Sequence, residues 1–411
     1  MTAVSLKPVV ELKVGVIGLG GEGCSIVDDL DLAPGWSVEC VLWDSCSKSL
    51  ESYSDSEQIE KRVMGLGISH GLGCVGQYEL GRSVFLNDQE FCRSWVEGKD
   101  LIILTGSLGG GFAGGFAPEL ARMIKTMEIP CLAFVKLPFS FEGRKRIEGA
   151  KQALGKLREL CLSVPMFEGD DYLGWIDDEG YAQEAVAQST LECSRAIEAL
   201  LQMLFEEGLY EFNLETIRST FDLEVAKTLV ISASGDGENA VDDALETVLS
   251  RISDKFPGKE LKVDRLLVCV VGGKTLAASE VSRIHRIVAD RFDKSGKTFF
   301  GACIDRNFKG VALVVFLSVH LGKQFELTEF STAPGMQVPT ATVHKKGSTK
   351  KTKTRERRRK SDSEPADTQE FFDSILNESN RGYFDDTPPN SWNGIDLDVP
   401  TYIRRGIRVK T

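Results

Sequence analysis

Over roughly the first 180 residues, short apolar runs alternate with amphipathic stretches. LKVGVIG (12–18), VECVLWD (38–44), DLIILTG (100–106) and PCLAFVK (130–136) are apolar on both faces, as strands of a parallel sheet covered on both sides are. Residues 118–127 and 143–161 carry helical periodicity between them. Strands alternating with helices predict βαβ units and a doubly wound α/β sheet. A long helix is predicted over 182–207, with apolar Ala185, Ala196, Leu200 and Leu204 suited to packing on more than one side. A second α/β pattern follows, with strands at 228–235, 264–273, 297–305 and 310–320 and helices at 241–253 and 276–292. The pattern divides the chain into a Rossmann-like domain (12–181), a connecting helix with its following loop (182–221), a smaller α/β domain (222–322), a charged linker (323–390) and a terminal peptide (391–411).

Composition sharpens this division. Residues 345–360 hold ten Lys/Arg and one Glu, and residues 361–400 hold ten Asp/Glu and one Arg. Such a stretch buries too little apolar surface to offset the cost of ordering and is predicted to be disordered. The basic run suits a solvated spacer, or electrostatic contact with nucleic acid or an anionic membrane. The net charge of −12 argues against a chain built mainly to hold nucleic acid, and no specific nucleic acid is expected. Ten scattered Cys, with no CxxC pair and no Cys/His group at zinc spacing, read as reduced thiols of a cytoplasmic protein. No signal pattern opens the chain, and no apolar run approaches the roughly 18 residues that span a bilayer.

Two glycine-rich runs follow predicted strands. The first, Gly18-Leu-Gly20-Gly21-Glu22-Gly23, matches GxGxxG opening a helix, where glycines admit a phosphate to the backbone and to the positive helix end. Asp44 closes the next strand 21 residues after Gly23, where a ribose-binding carboxylate would sit, so an NAD-dependent oxidoreductase fits this motif too. The second run, Thr105 to Pro118 with Gly109, Gly110 and Gly111, also leads into a helix, and a dinucleotide site does not require it. Pro138-Phe-Ser-Phe-Glu142-Gly-Arg-Lys-Arg146 then adds one acid and three bases at the same sheet edge.

Together these motifs resemble FtsZ, the tubulin-like family of cell-division GTPases. The first run is similar to the family's IGVGGGGxNAV, and Gly109–Pro118 to GGGTGTGAAP. Residues 138–146 are similar to KPFxFEGKKR, with Leu137 in place of its leading Lys. Gly71–Arg82 resembles GLGAGxxPExGR, and the turn at 235–240 resembles GxGEx(R/A). Asp398-Val-Pro400-Thr-Tyr402-Ile403-Arg404-Arg405 resembles the C-terminal D(I/V)PxFLRR. The resemblance implies a Rossmann-like GTPase domain, a core helix and a C-terminal α/β domain. It also implies head-to-tail self-assembly into protofilaments in the cytoplasm at the division site, with GTP and Mg²⁺ completed by a loop of the next subunit. The nucleotide contacts it implies fall on Gly20, Gly21, Glu22, Gly23, Ser25, Gly109, Gly110, Gly111, Phe112, Glu142, Arg146 and Ser189. Through Asp398, Pro400, Tyr402, Ile403, Arg404 and Arg405 it implies a membrane-tether or division-regulator partner.

Departures from the family's pattern concern chemistry. Phe112, Ala113 and Gly114 replace Thr, Gly and Thr, removing two hydroxyls suited to phosphate or Mg²⁺; Phe112 either crowds the loop or packs beneath it. Glu22 stands in a glycine run, where it would repel phosphate unless it points to solvent. The guanine-reading Asn is absent from 165–171, and the Asp of the core helix aligns with Ser189, leaving GTP, ATP, GDP or no nucleotide open. The catalytic NxDFADV becomes Glu211-Phe-Asn213-Leu-Glu215-Thr216-Ile. Glu211 and Glu215 either replace the lost acids or are ordinary surface charges. Hydrolysis is therefore open, and a non-hydrolysing structural or regulatory relative is the alternative.

Overall fold

The computed structural model describes residues 12–53, 58–173, 182–206, 208, 212–221, 226–255, 263–292, 297–305, 308–320, 391–392 and 395–396. The chain begins β1 (Val14–Leu19), α1 (Gly20–Asp28), β2 (Val38–Asp44), α2 (Ser47–Glu51), β3 (Ile59–Val63), α3 (Leu66–Ser69) and α4 (Tyr78–Val96). It continues β4 (Leu101–Ser107), α5 (Gly111–Thr126), β5 (Cys131–Leu137), α6 (Arg144–Leu160), β6 (Pro165–Glu168), α7 (Gly169–Leu173) and α8 (Ala182–Phe205). Then come α9 (Leu214–Phe221), β7 (Ala226–Gly235), α10 (Ala240–Lys255), β8 (Arg265–Gly272), α11 (Ala278–Phe292), β9 (Thr298–Ile304) and β10 (Val311–His320). These elements lie in one unit, residues 1–337. The other unit, 338–411, contributes two short antiparallel strands, β11 (Ser391–Trp392) and β12 (Ile395–Asp396).

Among the described residues, ten strands form one sheet in the order β3-β2-β1-β4-β5-β6-β7-β10-β8-β9. Pairing is parallel throughout, except that β10 runs antiparallel between β7 and β8. The apolar runs are strands buried on both faces, because helices cover both sides. Along β1, Ile17 and Leu19 enter the core under α4, α5 and α6, while Val14 and Val16 face the core of α1 and α8. Pairing of β6 with β7 makes the sheet continuous across the two α/β patterns of the sequence.

Helix α8 is apolar around much of its circumference because it lies under both parts of that sheet. Ala196, Ile197, Leu200 and Leu201 share a core with Ile103 and Phe134 of the first strands and with Val230, Leu267 and Phe316 of the later ones. One acid is buried in this contact. Glu192 pairs with Arg251 Nη1 on α10 at 2.6 Å, and its other oxygen accepts from Ser232 Oγ of β7 at 2.7 Å. Arg251 Nη1 also donates to the Ser232 carbonyl at 2.6 Å. Removing one partner of such a pair leaves the other charge buried and uncompensated.

The helix expected to begin at Pro118 begins at Gly111. Proline favours a first helical turn, which is the local signal. Tertiary packing overrides it: the Tyr78 ring of α4 lies in a slot between Gly114 of α5 and Gly149 of α6. A Cβ would sit 2.2 Å from the ring at Gly114 and 2.3 Å from it at Gly149. The Tyr78 hydroxyl donates to the Leu108 carbonyl at 2.9 Å, which fixes the ring. The glycines after Gly111 therefore serve close helix packing.

Glu192→Ala is expected to lower the unfolding free energy by about 3–5 kcal/mol, measured by urea denaturation. The double variant Glu192→Leu/Arg251→Met should cost less than the single one, because it leaves no unpaired charge inside.

Candidate functional site

Strands β1, β2, β4 and β5 run in one direction, so their C-terminal ends share an edge. A cleft of about 580 Å³ opens there, a size that holds a small molecule. Glycines on its wall are of two kinds. Gly20 has φ +71°, a left-handed turn into α1 that only glycine adopts readily. At Gly21 an added Cβ would meet nothing nearer than Ser49 Oγ at 3.4 Å, and at Gly110 nothing nearer than the Ser107 carbonyl at 3.8 Å. Neither has a positive φ, so internal packing does not demand glycine at either position, and both leave backbone open to the cleft. Gly23 and Gly109 lie outside the lining: their Cβ positions fall 2.4 Å from the Thr105 carbonyl and 3.0 Å from Pro138. Gly111 lines the cleft and is also tightly packed, 2.4 Å from the Gln77 nitrogen.

Two helices begin at the cleft, and their first N–H groups lack intrahelical partners. The first turn of α1 carries its own acid, Glu22; that of α5 carries none. The positive end of α5 is the one left for an anion. Phe112 is only 5% exposed and packs beneath the loop, its ring 4.8 Å from Phe116, which in turn meets Phe85 and Trp43. On the rim, Glu142 accepts from the Phe139 nitrogen at 2.9 Å and pairs with Arg146 at 2.5 Å. Asp44 is buried and accepts from the Cys46 nitrogen at 3.3 Å; burial pushes its carboxyl pKa up while hydrogen bonds from Ser49, Cys46 and Ser45 oppose the shift. That carboxylate is occupied by its own turn.

Glu22 lines the cleft. It forms an ion pair with Lys136 of β5, a cleft residue that the sequence reading passed over. Lys136 is 4% exposed and also donates to Thr190 Oγ1 at 2.9 Å and to the Val186 carbonyl at 3.3 Å, both on α8. Its signal was an ion at the end of a fully buried strand, where burial demands partners. A buried cation thus holds Glu22 on the cleft wall. Ser189 is buried and donates to Val186 at 2.8 Å without lining the cleft; Val186 lines it, and Thr190 reaches it through Lys136. Ser25 lies on α1 outside the lining.

Asn213 and Thr216 cap α9. Asn213 Oδ1 accepts from the Thr216 nitrogen at 3.0 Å and from Thr216 Oγ1 at 3.2 Å, so each side chain serves the helix end. Glu215 is exposed. Glu211, the charged stretch 345–360 and the peptide Asp398–Arg405 lie outside the described residues. Among the described residues no group of three or more His, Cys, Asp or Glu could hold a metal ion, and no helix is long and apolar enough to cross a membrane. The ten cysteines are free, and Cys46 and Cys161 are half-buried while the rest are buried.

Residues 13–176 match the GTPase-domain model of the tubulin/FtsZ family. The chain is similar to the cell division protein FtsZ of Pseudomonas aeruginosa, 24% identical over 314 residues, covering 76% of this chain and 78% of that protein. It is also similar to FtsZ of Methanothermobacter thermautotrophicus, 25% identical over 300 residues, covering 73% and 77%. Among solved structures it resembles the empty FtsZ dimer from M. jannaschii, with TM-score 0.66, 20% identity and coverage of 77% and 90%. It resembles CetZ2 from Haloferax volcanii, a GTPγS-bound protofilament, with TM-score 0.59, 23% identity and coverage of 74% and 92%.

The two kinds of glycine should separate in solution. Gly110→Ala is expected to change stability by less than about 0.5 kcal/mol, whereas Gly114→Ala, forced against the Tyr78 ring, should cost about 1–3 kcal/mol. Thermal or urea unfolding of both variants checks this.

Proposed function

Because this chain is a divergent member of the tubulin/FtsZ family, we propose that it binds GTP in the cleft and assembles head to tail into protofilaments as a cytoskeletal protein of cell division. One observation carries the reading: the acid-free start of α5 faces the cleft beside the open glycines Gly21 and Gly110, with Arg146 on the rim. That arrangement suits a phosphate chain, whose charge the backbone N–H groups and the guanidinium would meet. The carboxylates of Asp44 and Glu142 are engaged within their own turns, and Glu22 is ion-paired through one oxygen with Lys136, so Mg²⁺ would be held chiefly by phosphate oxygens and water.

Turnover is a separate matter. The positions where the family resemblance calls for two aspartates hold Asn213 and Thr216, bonded to one another at the start of α9. Neither can supply positioned negative charge to an attacking water, and the loss of one such electrostatic contribution typically slows a reaction by about 10²- to 10³-fold. This favours a filament component with slow or no hydrolysis. We place its action in the cytoplasm at the division site, with residues 398–405 joining a membrane-tether or regulator protein.

Sedimentation with GTP, GDP and no nucleotide, alongside phosphate release with Mg²⁺ over a protein concentration series, tests both parts. Pelleting should require GTP, and phosphate release should be slow, rising per subunit only above a critical concentration. Folded protein that neither binds GTP nor pellets with it would sink the reading. Asn213→Asp/Thr216→Asp, which restores both acids, is expected to raise phosphate release at least about 10-fold.

A further inference from the structure

The α8 side of the cleft carries a polar arrangement that a phosphate chain at α5 does not use. The Lys136 ammonium has three protons, and three acceptors take them: the Glu22 carboxylate, Thr190 Oγ1 and the Val186 carbonyl. No donor of Lys136 is left for a ligand. The same contacts fix Oε2 of Glu22, while Oε1 has no partner among the described residues. The Glu22 side chain is 41% exposed and lines the cleft. The atom offered to a ligand on this side is therefore an acceptor.

Charge decides which part of a nucleotide can sit there. A phosphate beside Glu22 would face a carboxylate whose partner cation, Lys136, is already fully bonded, whereas the first turn of α5 has no acid to oppose it. The uncharged end of the ligand thus belongs beside Glu22, Val186 and Lys136. A carboxylate only accepts hydrogen bonds. The pairing edge of guanine presents two adjacent donors, the N1 proton and the 2-amino group. Adenine presents one amine beside a lone pair on N1, which the carboxylate would repel.

We propose that Glu22, positioned by Lys136, reads the guanine base. The inference rests on the cleft being a guanine-nucleotide site. It accounts for Ser189 and Thr190 standing on α8 where the resemblance calls for an acid: the carboxylate comes instead from the first turn of α1, and α8 supplies the anchors of the lysine that aims it.

The experiment is equilibrium titration of the full chain with GTP, ITP and ATP, for wild type and Glu22→Gln, with circular dichroism to verify folding. ITP keeps the N1 proton and lacks the 2-amino group. Wild type should bind GTP more tightly than ITP, and ITP more tightly than ATP, with each charged hydrogen bond worth about a 10- to 100-fold step. Glu22→Gln should lose about 10- to 100-fold for GTP and far less for ATP, so that the three affinities converge. Lys136→Gln should shift the ratios in the same direction. A folded Glu22→Gln protein that keeps the wild-type ratios overturns the proposal, and so does one that binds all three nucleotides more tightly. Wild type that binds nucleotides without preferring GTP overturns the proposal even if the variant does not fold, and leaves nucleotide binding standing. Wild type that binds none of the three overturns the guanine-nucleotide reading itself.

Discussion

Parallel pairing brings the C-terminal ends of β1, β2, β4 and β5 to a single edge, and most of what this molecule can do follows from that. Two of the chain's exits from that edge lead into helices, directly at Gly20 and after three residues at Gly111, so two positive helix ends face one cleft. A third helix, α8, reaches the same place through Val186 and Thr190. The antiparallel β10 interrupts the arrangement beyond β7, and the later helices α10 and α11 contribute no residue to the cleft lining.

The cleft is electrostatically polar along its length. At α1 the helix end is balanced internally by Glu22, and that acid is balanced in turn by a lysine buried in the wall. At α5 the first turn holds no acid of its own. The asymmetry uses an expensive component, since a buried ammonium must have its protons satisfied. Lys136 meets that demand with three acceptors from two elements. A second buried charge, Glu192, lies further along α8 and ties that helix to β7 and α10. Both ends of the described network run through one helix, so the wall of the cleft and the later strands share a single stiff support.

Much of this was legible in the residues. The fully apolar runs gave strands whose ends fall within about two residues of those observed, because burial on both faces is a local compositional demand. The long helix was legible because its apolar positions cover more than one side. What escaped depended on distant partners. The early start of α5 rests on Tyr78, more than 30 residues upstream, filling a slot that adjacent glycine and proline signals do not announce. Lys136 looked like the polar end of a strand, since its three acceptors come from α1 and α8. Strand pairing across β6 and β7 likewise leaves no trace in periodicity. Of the glycines, those held by internal packing and those left open to the cleft look alike in one dimension; only the space around each Cβ tells them apart.

Phe112 ties the glycine-rich loop to the core beneath it. Where the family resemblance calls for a threonine, this position carries a ring that packs on Phe116, which in turn meets Phe85 and Trp43. Replacing it alone by threonine would give the loop a hydroxyl but empty part of an aromatic cluster, and truncating a buried phenylalanine typically costs about 3–5 kcal/mol. That is a large fraction of the margin by which most domains stay folded. The neighbouring side chains would have to enlarge before the hydroxyl could return without loss of stability. The ring thus works as a ratchet: each packing adjustment that accommodates it raises the barrier to a hydroxyl in this loop, so the chemistry of the cleft is tied to the packing beneath it.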